Sequence, residues 1–141
     1  MYMPPAPIHA GLLAPCGMNC LVCYQHCFHP KPCGGCRSSH SKPAHCRACR
    51  IAACAGEQGL HYCYECSQFP CALLLPMDKR YWTRYGVSLI ENSRTAKEQG
   101  LQAFFQAQRA RFTCPDCGGV ISLHDAQCSE CHRPLDEHDF V

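Results

Sequence analysis

Sixteen of the 141 residues are cysteine, and twelve of these lie between Cys16 and Cys71. In order they are Cys16, Cys20, Cys23, Cys27, Cys33, Cys36, Cys46, Cys49, Cys54, Cys63, Cys66 and Cys71, followed by Cys114, Cys117, Cys128 and Cys131. Six pairs share the spacing C-x2-C: Cys20/Cys23, Cys33/Cys36, Cys46/Cys49, Cys63/Cys66, Cys114/Cys117 and Cys128/Cys131. Two intervening residues allow a tight turn that aims both sulfurs at one ion, so the chemistry on offer is thiolate coordination of a metal. The competing use of so many cysteines, a disulfide framework, belongs to short secreted chains. Met1 to Pro15 carries no Lys or Arg and no apolar run suited to a secretory leader, and no run of about eighteen apolar residues could span a membrane. The expected setting is a reducing cytoplasm, where paired thiolates take metal.

Four-sulfur sites are the simplest use of sixteen thiols, which implies about four zinc ions. One grouping joins Cys20, Cys23, Cys33 and Cys36, then Cys46, Cys49, Cys63 and Cys66, with the single cysteines Cys16, Cys27, Cys54 and Cys71 forming another site. Crossed groupings satisfy the sequence equally. A Cys3His site could draw on His26, His29, His45 or His61, although a histidine near a knuckle is more often a surface residue. The formal charge of +2 treats cysteine as neutral. With four filled thiolate sites the net charge becomes about −6, which removes net charge as an argument for nucleic-acid binding.

The rival metal is iron. Cys16-x3-Cys20-x2-Cys23 has the spacing of the three-cysteine motif by which radical S-adenosylmethionine enzymes hold a [4Fe–4S] cluster, and Cys27 could supply a fourth thiolate. The chain is too short for the barrel of those enzymes, and no glycine-rich cofactor motif follows. A small iron–sulfur protein with a redox or enzymatic role stays open.

These ligands need elements to hold them. Residues 1–15 include Pro4, Pro5, Pro7 and Pro15 and read as an extended arm. Residues 16–86 form a cysteine-rich multi-metal domain in which loops and knuckles replace a large apolar core. Within it Cys46 to Glu57 reads as a short helix rich in alanine, stopped by Gly59. Cys46-x2-Cys49-x4-Cys54 and Cys63-x2-Cys66-x4-Cys71 echo one another, and each third cysteine could ride on a helical turn. Pro70 can open a helix through Leu75 that Pro76 interrupts, with Met77 to Tyr85 resuming and Gly86 ending it.

Residues 87–112 read as helical. Ser88-x2-Glu91 is a capping box that predicts a helix from about Leu89 to Gln99, and Gly100 breaks the chain. Leu101, Phe104, Phe105 and Phe112, with Gln108 among them, form a stripe expected to pack as core. Residues 113–141 change character. Cys114-x2-Cys117-x10-Cys128-x2-Cys131, with strand-like Val120 to Leu123 between the pairs, has the form of a zinc ribbon. The expected fold class is therefore a small α+β metal-stapled fold: cysteine-knuckle domain, helical segment and C-terminal zinc ribbon.

The motifs Cys16-Gly17-Met18-Asn19-Cys20-x2-Cys23, Cys33-Gly-Gly-Cys36 and Cys63-x2-Cys66-x2-Phe69-Pro70-Cys71, with Arg84-Tyr85, Gly100 and Cys114-x2-Cys117-Gly118, resemble an uncharacterised cysteine-rich family of bacteria and archaea. That family is a domain of unknown function. The resemblance covers roughly Cys16 to Gly119, implies metal binding and brings no reaction with it. Cys128 and Cys131 rest on spacing alone.

Three functions fit these features. In the first, structural four-cysteine zinc sites staple an interaction module whose partner is a protein or a single-stranded nucleic acid. Lys31, Arg37, Lys42, Arg47 and Arg50 make the middle basic. Lys79, Arg80 and Arg84 adjoin Tyr81, Trp82 and Tyr85, a mixture that suits phosphate contact and base stacking. The plainer reading of that segment is a solvated helix face with its aromatics packed inward. The second function is an enzyme or redox protein with an open metal position, a cluster or an activated thiolate, for which Cys16 and Cys27 are the candidates. No nucleophile–base pair and no phosphate loop stands out. The third is storage or delivery of zinc or Cu(I).

Overall fold

The computed structural model describes residues 1–28 and 49–134. Among these the α-helices are α1 (Tyr24–Cys27), α2 (Arg50–Glu57), α3 (Leu75–Tyr85), α4 (Leu89–Gln99) and α5 (Leu101–Phe112). One antiparallel hairpin follows, β1 (Ile121–Ser122) with β2 (Gln127–Cys128), in the register Ile121 to Cys128 and Ser122 to Gln127. Three 3-10 turns, Ala10–Leu12, Cys20–Val22 and Cys63–Glu65, complete the set. Helices with a small sheet are the expected α+β composition.

The helix boundaries follow local chemistry. Ser88 lies in extended backbone and its hydroxyl accepts the Glu91 N–H, which starts α4 at Leu89 as the capping box predicts. The Asp78 carboxylate reinforces that start by accepting the Ser88 hydroxyl at 2.9 Å and the Ile90 N–H at 3.0 Å, tying α3 to α4. At the end of α3, Gly86 takes the left-handed conformation (φ 67°) and returns its N–H to the Trp82 carbonyl. Pro76 does not interrupt this helix. It occupies the first turn, where a missing N–H costs nothing. The segment from Cys71 to Leu74 forms a turn instead of helix, so the echo between the two cysteine triplets ends there: Cys54 rides on α2 and Cys71 precedes α3.

Apolar packing is more extensive than the composition suggests. Phe104, Phe105 and Phe112 are each buried, as are Leu13, Leu21, Leu74 and Leu89. One cluster joins Ile8, Leu13, Leu21, Tyr62, Ala96, Phe104 and Phe105. The other runs from Ala14, Cys16, Met18 and Cys20 through Leu74, Val87, Leu89 and Phe112 to Val120, Ile121 and Cys128. Three buried phenylalanines contribute roughly 2–3 kcal/mol each, which together rivals a structural zinc ion at about 10 kcal/mol. The helical half is thus held by hydrocarbon as well as by any metal.

The first fifteen residues bond to later parts of the chain. Ile8 is buried, and its backbone N–H and carbonyl both bond the Gln102 side chain at 2.9 Å. The Met1 carbonyl accepts the Val120 N–H at 2.8 Å and the Ser129 hydroxyl at 3.2 Å. The Met1 amino group pairs with Glu130, and Arg109 donates to the Pro4 carbonyl. Apart from the 3-10 turn Ala10–Leu12 the stretch is irregular, and side chains from α5 and the hairpin bind it.

Candidate metal centre

Cys114, Cys117, Cys128 and Cys131 come together at the hairpin. Their sulfurs all lie within 4.8 Å of one another, with Cys114 to Cys131 at 3.7 Å and Cys117 to Cys128 at 3.5 Å. A tetrahedral ion with metal–sulfur bonds of about 2.3 Å needs sulfurs about 3.8 Å apart, so this set can hold a metal ion. The Gly119 N–H donates to Cys117 Sγ and the Glu130 N–H to Cys128 Sγ, each at 3.4 Å. In both cases the donor lies two residues beyond the cysteine, and such N–H groups stabilise a thiolate. Cys114 and Cys128 are buried, whereas Cys117 and Cys131 are exposed, so the centre is anchored on the core side and open to solvent on the other. The Arg133 backbone N–H acts to lower the Cys131 thiol, but the hydrogen bonds it shares with Cys117, Cys114 and Cys128 outweigh this and push it up to about 12. Four sulfurs this close repel as anions until a cation joins them.

No disulfide forms among the thirteen described cysteines. Cys16 and Cys20 are buried in the larger apolar cluster. Cys20–Val22 is a 3-10 turn closed by the Cys23 N–H on the Cys20 carbonyl at 3.2 Å, and Cys63–Glu65 repeats it, with Cys66 N–H on the Cys63 carbonyl at 3.0 Å. Cys23 and Cys66 even share the same backbone angles, φ −78° and ψ 138°. Burial first, then Cys23, Asp125 and Cys128, push the Cys27 thiol up to about 12 against the opposing N-terminal charge. Burial first, then Cys71, Cys54, Cys66 and Cys49, push the Cys63 thiol up to about 11. Cys54 and Cys71 thus act on Cys63, and Cys23 and Cys128 on Cys27, through their charge. Cys33, Cys36 and Cys46 lie outside the described residues, as do His29, His45, Lys31, Arg37, Lys42 and Arg47.

These thiols give a signed pH dependence. Cys27 and Cys63 hold their protons more tightly folded than unfolded, so their contribution to stability is present below pH 9 and is lost as pH rises through 11 to 12. Metal-free, reduced protein is expected to show a lower urea midpoint at about pH 10.5 than at about pH 8. Equal midpoints would contradict this.

The residues between the first cysteines were not recognised as structural from sequence, and each has a partner. Asn19 is 1% exposed; its Oδ1 accepts the Leu21 N–H at 3.0 Å and its Nδ2 donates to Gln108 Oε1 at 3.1 Å. Gln108, read as part of an apolar stripe, thus faces inward to serve Asn19. The Gly17 carbonyl accepts Asn92 Nδ2 at 3.0 Å. A buried amide paired with a buried amide was signalled only by polar residues at otherwise apolar positions.

The outer face of α3 is the other surface of note. Met77, Tyr81 and Tyr85 recur at four-residue spacing and face inward, and Tyr81 hydroxyl meets His124 Nε2 at 3.1 Å. Trp82, 63% exposed, points away. Lys79, Arg80 and Arg84 are exposed with it, and with Pro76 and Thr83 they line a shallow groove of about 270 Å³. The plain reading holds for two of the three aromatics and fails for the tryptophan.

Among the described residues no helix is long and apolar enough to cross a membrane. No curated protein and no solved structure matches this chain. The resemblance read from the sequence extended to Gly119, but the family match ends earlier, so Arg84-Tyr85, Gly100 and Cys114-x2-Cys117 fall beyond it. Residues 12–76, which carry the Cys16–Cys71 thiols, match the model of a family described as "Protein of unknown function (DUF3795)".

Proposed function

We propose that Cys114, Cys117, Cys128 and Cys131 bind one zinc ion as a zinc ribbon, and that the protein is a metal-stapled interaction module. The observation that carries this is the convergence of four sulfurs at tetrahedral spacing on a hairpin only two residues long on each side. So short a hairpin is marginal by itself, and a closed four-thiolate site supplies what it lacks. All four positions are filled by protein, which leaves no open coordination site for catalysis. Elemental analysis of anaerobically purified protein tests the reading. Zinc that disappears with Cys128→Ser supports it; iron with acid-labile sulfide lost by the same variant would replace it with a cluster protein. Metal that exchanges freely with a weak chelator would favour storage or delivery.

For the interaction itself, single-stranded nucleic acid is the partner that suits α3. A solvent-facing indole offers a stacking platform, and three adjacent cations offer phosphate contacts. Trp82 is the only tryptophan, so emission from the intact protein reports this face alone. Titration with a short oligothymidylate or oligouridylate is expected to quench that emission at low salt, with affinity falling steeply as salt rises. Arg80→Glu with Arg84→Glu should weaken binding at least tenfold. No quenching at low salt removes nucleic acid and leaves a protein partner.

A further inference from the structure

We infer that Cys54, Cys63, Cys66 and Cys71 form a second thiolate metal centre, separate from the hairpin site and positioned by Gln58. Three elements supply the sulfurs: Cys54 from α2, Cys63 and Cys66 from the 3-10 turn, and Cys71 from the segment that leads into α3. The first observation is a backbone donor. The Gln68 N–H lies 3.5 Å from Cys66 Sγ, two residues beyond it. Cys117 and Cys128 receive the same contact from Gly119 and Glu130 at the hairpin. An N–H aimed at sulfur favours the thiolate over the thiol, and the same device marks the ligands at both places.

The second observation is a bridging amide. Gln58 Nε2 donates to Cys54 Sγ at 3.1 Å, and its Oε1 accepts from Cys66 Sγ at 3.7 Å. One side chain therefore spans two sulfurs on different elements. With a cation bound, Cys66 loses its proton and the Nε2 donor remains for the thiolates, the outer-layer support that orients metal ligands. The third is fixation of the frame. The Cys63 N–H bonds the Pro15 carbonyl at 2.9 Å, and the Cys71 carbonyl accepts the N–H groups of Leu74 and Leu75 at 3.1 and 3.0 Å.

Among the described residues only the hairpin brings three or more ligand atoms within 4.8 Å of one another. The second set is therefore wider. A single ion of the zinc type and a polynuclear iron–sulfur group are the two occupants that such thiolates take. The shared chemistry is thiolate coordination of a borderline or soft metal.

The test uses the full chain, purified anaerobically, with metal and sulfide counted per chain. Cys66→Ser and Cys71→Ser are each expected to lower the content by one centre while Cys128→Ser lowers it by a different one, and pairing either with Cys128→Ser should lose both. Loss of zinc identifies a mononuclear site; loss of iron and sulfide together identifies a cluster; either supports the centre. Because a cysteine variant can misfold, Gln58→Ala, at an exposed residue, provides the second arm. It is expected to speed metal release to a chromophoric chelator at least tenfold without changing the melting of metal-free protein. Wild-type metal content in Cys66→Ser and Cys71→Ser, with unaltered release from Gln58→Ala, would overturn the inference and leave the hairpin site untouched.

Discussion

Cys128→Ser is expected to cost about 3 kcal/mol or more, to lower the melting temperature by roughly 10 °C, and to remove one metal ion per chain. The size follows from position. Cys128 is fully buried, belongs to β2, and packs in the same cluster as Val120, Ile121 and Leu123. Its sulfur lies 3.5 Å from Cys117 and accepts the Glu130 N–H. Serine cannot coordinate zinc as well at neutral pH, and its hydroxyl would enter an apolar site without the partners sulfur had. Metal removal from the wild-type chain by a strong chelator under reducing conditions should reproduce the effect at the hairpin, while α4 and α5 keep their helical signal because Phe104 and Phe105 pack without sulfur ligands. Calorimetry with elemental analysis decides. An unchanged melt and full metal content in Cys128→Ser would sink the four-sulfur centre.

Gly17→Ala is expected to destabilise the fold by about 3 kcal/mol or more, enough to deplete soluble protein. Gly17 has φ 101°, a conformation that L side chains rarely adopt. A β-carbon there would lie 2.3 Å from the Leu89 carbonyl oxygen and 2.5 Å from Ser93 Oγ. Neither can retreat easily, because Ser93 hydroxyl already bonds that carbonyl at 2.9 Å and both belong to the buried side of α4. Gly86→Ala is the matched control. Its φ is also positive, at 67°, but nothing lies within 4 Å of the added carbon. That variant should lose only about 1 kcal/mol. Comparable losses in urea titrations of the two variants would show that backbone conformation, and not close approach to α4, sets the requirement at Gly17.

Local signals in the sequence were read well where the structure is decided locally. Ser88-x2-Glu91 marks the start of α4, Gly86 and Gly100 mark helix ends, and C-x2-C-x10-C-x2-C brings four sulfurs together. In each case the partners are near in sequence or the spacing is set by a turn. Reading failed where a distant partner decides. The prolines of the first fifteen residues say nothing of the partners that hold the segment, Gln102, Val120 and Ser129. Asn19 and Gln108 meet across 89 positions, beyond the reach of any local pattern. Pro76 misled because its meaning depends on whether the helix begins just before it. Which cysteine turns share an ion was equally hidden, since spacing describes a turn and not which turns face one another.

The clasp of Ile8 by Gln102 and of Met1 by Val120 and Ser129 has a kinetic consequence. During synthesis the opening residues leave the ribosome long before their acceptors are made, with 94 and 128 positions separating the two ends of these bonds. Such distant closures are slow, so in the nascent chain Ile8 and Leu13 stay wet until translation reaches α5 and the hairpin. Burial of this segment thus waits for the synthesis of α5 and the hairpin.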